Sequence, residues 1–118
     1  MLSAGHAGEN WVAAHLQQQG WQLLAQRWRC RWGELDLVMF AADTLVFIEV
    51  KTRSAHNWDA DGAAAITPAK QARLRQTAAL FLSHHPQWQN HPCRFDVALV
   101  QRRGQAYHLQ TYLPGVLS

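Results

Sequence analysis

At 118 residues with 48% hydrophobic composition, the chain fits one domain (1–118) and carries enough apolar material for a real core, which excludes a disordered tail. No apolar run approaches the ~20 residues of a membrane helix, and Met1 to His6 has neither the basic start nor the apolar run of a signal peptide; the expectation is a cytoplasmic protein with no membrane partner. The net charge of +3 is modest but clustered, at Arg27, Arg29 and Arg31, at Lys70, Arg73 and Arg75, and at Arg102 and Arg103, which points to a polyanionic partner.

From Ala4 to Gln19 the sequence predicts a helix, with Glu9, Val12, Ala13 and Leu16 on one stripe and Gly20 as its stop. Glu9 lies on that apolar stripe, where it either serves the helix dipole or turns inward toward a site. Trp21 to Arg29 reads as a first strand. Trp28 and Trp32 are interleaved with arginines, as a base-stacking surface would be, although most of the six tryptophans read as core and Trp58 and Trp88 are the better surface candidates. Cys30 and Cys93, far apart and without CxxC spacing, read as buried free thiols.

Leu35 to Phe40 and Leu45 to Val50 are rich in apolar and β-branched residues and are separated by Ala-Ala-Asp-Thr, the pattern of a β-hairpin. A loop of two or four residues makes paired positions sum to 85. Asp36 then stands across from Glu49 on the same face, and Glu34 faces Lys51. Like charges directly opposite destabilise a sheet, so folding alone gives no reason for this pair unless a cation neutralises it.

Ser54 to Ile66 has no sustained period and reads as a long loop beside Lys51. A calcium loop starting at Asp59 is excluded, because its twelfth position is Lys70 rather than an acid. Thr67 and Pro68 make an N-cap and first helical residue, and Leu74, Ala78, Phe81 and Leu82 give an apolar face running to about Ser83. Lys70 and Arg73 share another flank, either solvated or a phosphate clamp. His84, His85 and His91 fall in a linker that reads as a solvated loop. Cys93 to Val100 and Ala106 to Leu113 form a second hairpin, with Phe95, Val97 and Leu99 on one side and Asp96 on the other.

Two acids with a lysine two residues after the second, Glu49-Val50-Lys51, are a compact set for hydrolysing a phosphodiester. Asp36, Glu49 and a backbone carbonyl such as that of Val50 suit Mg²⁺, which prefers hard oxygen ligands and keeps waters. Lys51, on the same strand face as Glu49, either deprotonates or orients the attacking water or neutralises charge on the phosphate.

Asp followed across a hairpin by Glu-x-Lys resembles the PD-(D/E)XK nuclease superfamily. Together GHAGE (5–9), GELD (33–36), LVFIEVKTR (45–53), TPAKQARL (67–74) and RFDVALV (94–100) resemble the bacterial YraN family, uncharacterised proteins grouped with Holliday-junction-resolvase-like endonucleases. The resemblance implies an α/β, restriction-endonuclease-like three-layer core (α-β-β-β-α-β), with a mixed central sheet flanked by helices. It implies that Asp36 and Glu49 hold Mg²⁺ or Mn²⁺, that Lys51 is catalytic, and that Glu9 completes the acidic cluster. Arg53, Lys70, Gln71 and Arg73 would contact nucleic acid, DNA ahead of RNA, and a resolvase would work as a homodimer. The chain departs from the pattern at His6, where relatives tend to carry Arg, and at Trp32, a position often small or polar.

Three functions follow: a metal-dependent endonuclease acting on structured or branched DNA, a non-catalytic nucleic-acid-binding or assembly module that keeps the nuclease fold, or a protein-interaction subunit. The intact acids and lysine favour the first.

Overall fold

The protein is described by a computed structural model over residues 4–54 and 67–117. In chain order it forms α1 (Ala4–Gln18), β1 (Gln22–Cys30), β2 (Gly33–Ala41), β3 (Thr44–Ser54), α2 (Pro68–His84), a short 3₁₀ turn (Pro86–Trp88), β4 (Cys93–Arg103) and β5 (Ala106–Leu113). This is the order expected from the sequence, with ends shifted by one to four residues. The expected loop from Ser54 to Ile66 lies, beyond its first residue, outside the described residues, as does Trp58.

All five strands join one sheet in the order β1-β2-β3-β4-β5. β3 and β4 run parallel, and the other neighbours are antiparallel. Helices cover both faces. Val12, Ala13 and Leu16 of α1 pack on Leu37, Met39, Val46, Ile48, Ala98 and Val100. Leu74, Ala78 and Phe81 of α2 pack on Leu35, Val38, Leu45 and Phe47. Covered on both sides, the middle of β3 is apolar at every position from Leu45 to Ile48 rather than at alternate ones. No described helix is long and apolar enough to cross a membrane.

Helix ends follow the chain's local chemistry. Thr67 caps α2 by accepting the Lys70 N–H at 3.2 Å, with Pro68 in the first turn. At the end of α1, Gly20 takes φ 94° and Trp21 N–H donates to Leu16 O, closing the last turn.

The β2–β3 turn has the two-residue length. Ala42 and Asp43 both adopt left-handed φ, 49° and 65°, as the hairpin turn with matching twist requires. Pairing from Ala41↔Thr44 to Leu37↔Ile48 keeps every sum at 85. One position further, at Asp36 and Glu49, regular pairing stops.

β2 also changes face there. Leu37 and Met39 pack toward α1, but Leu35, two residues earlier, packs toward α2, so strict alternation breaks across Asp36. On the other side of β2, Gln26↔Leu37 and Trp28↔Leu35 bracket the same position, leaving Arg27 opposite Asp36 with a left-handed φ of 53°.

Several aromatic and polar expectations are corrected by packing. Trp88 is not an open surface residue; its ring lies 5.0 Å from Phe40. Two of the linker histidines are packed rather than solvated: the His85 ring stacks on Phe81 at 4.0 Å, and His91 Nδ1 lies 3.1 Å from Asp43, whereas His84 closes α2 and is exposed. Both cysteines are free, but neither is fully buried: Cys30 is half-buried at the end of β1, and Cys93 is exposed where it opens β4. Asp96 is 1% exposed. It accepts hydrogen bonds from Arg94 Nε at 3.1 Å, Gly115 N–H at 2.9 Å and the Tyr112 hydroxyl, tying β4 to β5 and to the segment after it.

Candidate active site

The end of regular β2–β3 pairing opens the site. Asp36 turns its carboxylate into the gap, where Oδ2 accepts the Val50 N–H at 2.9 Å in place of a backbone carbonyl. Asp36 and Glu49 thus meet at the expected position, as side chains at a fork rather than as a flat cross-strand pair. The expected Glu34–Lys51 contact is absent, since the ladder that would bring them together has ended. Glu34 instead lies 3.6 Å from Arg29, its partner in the β1–β2 register.

β3 presents Glu49 and Lys51 on one face, with Lys51 Nζ 3.3 Å from Glu49 Oε1. α2 brings Lys70 Nζ to 3.5 Å from the same oxygen. Asp36, Glu49, Lys70 and Arg73 line one open cleft of about 260 Å³, together with Trp32, Glu34 and Thr77. Gln71, on the same helix, is half-buried, and Arg53 is exposed at the far end of β3 with Nη1 donating to Thr52 O at 3.1 Å.

Glu9 enters from α1. It stands in the second helical turn, beyond the reach of the N-terminal dipole, so its inward orientation is the reading that holds. Its Oε1 lies 3.6 Å from Arg27 Nη1, and both atoms are buried without a hydrogen bond. The helix reaches this place because Gly8 has no side chain: a Cβ there would fall 2.1 Å from Thr52 Oγ1 on β3. The backbone contact sets how deeply the neighbouring Glu9 sits.

The electrostatics show acids and cations crowded within a partly dry site. Burial first, and then Glu49, push the Asp36 carboxyl up to about 7. Glu9 is also raised, by burial and then by Glu34, with Arg27 opposing. Lys51 is held below the usual lysine range by burial and by Lys70 beside it.

The fold brings together Glu9, Asp36, Glu49, Lys51 and Lys70, all named from the sequence as candidates. The contact of Arg27 with Glu9 was not expected; from the sequence Arg27 stood only in a basic cluster. A left-handed arginine inside a strand has no sequence signature, because arginine is not a residue that favours that conformation.

Residues 8–100 match the family model described as "Uncharacterised protein family UPF0102". The chain belongs to this family. A UPF0102 protein of Synechococcus sp. (strain JA-3-3Ab) is 55% identical over 117 residues, covering 96% of this chain and 88% of the relative. One from Thermosynechococcus vestitus is 54% identical, covering 96% of this chain and 92% of its own length. The similarity extends beyond cyanobacteria: a UPF0102 protein of Pseudomonas putida is 52% identical over 98 residues, covering 83% of this chain and 79% of the relative.

Among the described residues, no three His, Cys, Asp or Glu side chains form a ready metal cage. Arg27 engages Glu9, while Lys51 and Lys70 both engage Glu49. The donor set still fits a hard divalent cation. It consists of carboxylate oxygens, one of them, on Glu9, buried without a hydrogen bond, around Asp36, whose affinity for a proton is raised by burial and then by Glu49.

Proposed function

We propose that this UPF0102 protein is a metal-dependent endonuclease with a restriction-endonuclease-like core, cleaving phosphodiester bonds in structured or branched DNA. One observation carries the reading: Asp36 and Glu49 meet where the hairpin forks and line an open cleft with Lys70, while Lys51 and Lys70 both pair with Glu49. Burial first, and then the Glu49 carboxylate beside it, push Asp36 up to about 7, which suits a site arranged for a cation.

Asp36, Glu49 and the Val50 carbonyl would hold Mg²⁺ or Mn²⁺, which when bound supplies Lewis acidity toward a phosphoryl oxygen and toward water. Glu9 adds negative charge from the α1 side. Lys51, with its proton affinity lowered, is suited both to passing a proton near the attacking water and to countering charge on the phosphate. Lys70 and Arg73 extend positive charge along the cleft wall to hold flanking phosphates. Gln71 and Arg53 are further candidates for contact with the nucleic acid. A two-fold dimer would place a second site on a branched substrate.

The test incubates the protein with branched, duplex and single-stranded DNA and with RNA, in Mg²⁺ or Mn²⁺ and with chelator. Cleavage that needs metal and disappears in Asp36→Ala and Glu49→Ala supports the reading. Cleavage surviving both substitutions overturns it, and binding without cleavage in either metal favours the non-catalytic module.

A further inference from the structure

We infer that Trp32 is a stacking platform for an unpaired nucleobase beside the reacting phosphate, so that the cleft takes strands already separated, or able to separate, at that point. This rests on the nucleic-acid reading of the cleft and adds to it the kind of substrate.

Trp32 lies between β1 and β2 and is the exposed large hydrophobic residue among those described, at 39%. The other described tryptophans each have an aromatic ring partner in the fold. Trp28 meets Phe81 edge-on at 5.3 Å, Trp21 meets Tyr112 at 6.2 Å, and Trp11 stacks on His15 at 4.9 Å. Trp32 instead lines the cleft that contains Asp36, Glu49 and Arg73. The guanidinium carbon of Arg31 sits 4.8 Å from the indole centroid. Arg31 therefore steadies the ring on one face by a cation–π contact and carries positive charge toward a neighbouring phosphate, leaving exposed indole for a base.

Outside the core, whose fully buried aromatic residues are Phe47 and Phe81, the exposed indole of Trp32 packs no apolar interior. Beside acids and cations in one cleft, it gives what they lack, a flat apolar surface that accepts any base without reading its edge. Bases of a closed duplex are stacked on each other and cannot lie on it. A gap, fork, flap or single strand offers one at little cost.

The experiment measures binding by fluorescence anisotropy in Ca²⁺, with single-stranded, forked and blunt duplex DNA of equal length. It compares wild type, Trp32→Ala, Trp32→Phe and Arg31→Ala. A 2-aminopurine placed at successive positions reports which base is stacked. Wild type is expected to prefer forked or single-stranded DNA. Trp32→Ala should lose about five- to a hundredfold in affinity for these, the range of one base–aromatic stack, with duplex affinity unchanged. Trp32→Phe should retain most of the affinity, and the 2-aminopurine quenching at one position should vanish only in Trp32→Ala. Equal losses on duplex and single strand, no loss, or no preference by wild type would overturn the inference. Binding is read without cleavage, so failure of the nuclease reading leaves this result standing, and failure of the platform leaves metal-dependent cleavage to be judged on its own.

Discussion

Asp96 on β4 gives its two oxygens to Arg94, Tyr112 and the Gly115 backbone, whereas Asp36 on β2 has among the described residues one hydrogen bond, from Val50, and faces Glu49. Asp96 is the more buried of the two. Depth therefore does not separate a structural acid from a candidate functional one. What separates them is whether the fold supplies enough donors, and around Asp36 it supplies further acid instead. Even the cations near Asp36 are committed elsewhere, Arg27 to Glu9 and the lysines to Glu49.

Exchanging oxygen for nitrogen tests the contrast most strongly. Asp36→Asn and Glu49→Gln should each lower metal-dependent cleavage by on the order of a thousandfold, while the melting temperature of Asp36→Asn in chelator stays level or rises. A fall in melting temperature matching that of an Asp96 variant would erase the distinction. Asp96→Ala should behave in the opposite way. It leaves Arg94 and Tyr112 without their acceptor and should cost about 3–5 kcal/mol in denaturant unfolding, with cleavage per folded molecule retained.

Gly8→Ala probes how firmly the third acid is held. A methyl group there meets Thr52 Oγ1, so stability should fall by about 1–3 kcal/mol and cleavage should fall with it as α1 shifts. Adding Thr52→Ala, which removes that oxygen, should restore part of both; a double variant no better than Gly8→Ala would place the effect elsewhere.

The smallest effect is in pH. Asp36 binds its proton more tightly folded than unfolded, so between about 4 and 7 the folded state holds more protons and stability falls as pH rises. The favourable contribution is complete below about pH 4 and lost above about 7. Asp36→Asn should flatten that part of the metal-free stability profile, gaining on the order of 1–3 kcal/mol at pH 8 relative to wild type. A profile unchanged by the substitution would show that Asp36 is not the strained acid.

The hairpin was legible because its two strands are apolar and its loop short, which fixed the register and brought Asp36 to Glu49. α2 was legible from Thr67 and Pro68, whose chemistry specifies a helix start locally. The face change at Asp36 was not, since a period-2 pattern assumes an unbroken strand and Leu35 is as apolar as Leu37. Arg27 and Asp96 were hidden for a related reason. Each acquires its meaning from residues far along the chain, Arg27 from Glu9 and Asp96 from Tyr112 and Gly115. Glu9 became legible only through the ordered motifs, because one carboxylate on an apolar stripe has an ordinary explanation.

The parallel pairing of β3 with β4 carries a kinetic consequence. Leu45 pairs with Cys93, so the strand bearing Glu49 and Lys51 finds its second neighbour only after α2 and the linker have been made. Until then it is an apolar edge, open to pairing with other chains, and non-local parallel pairing forms slowly. The strand that carries the chemistry is also where a nascent chain is most exposed to aggregation, and mutations that delay β4 should appear as lost soluble protein before they appear as lost activity.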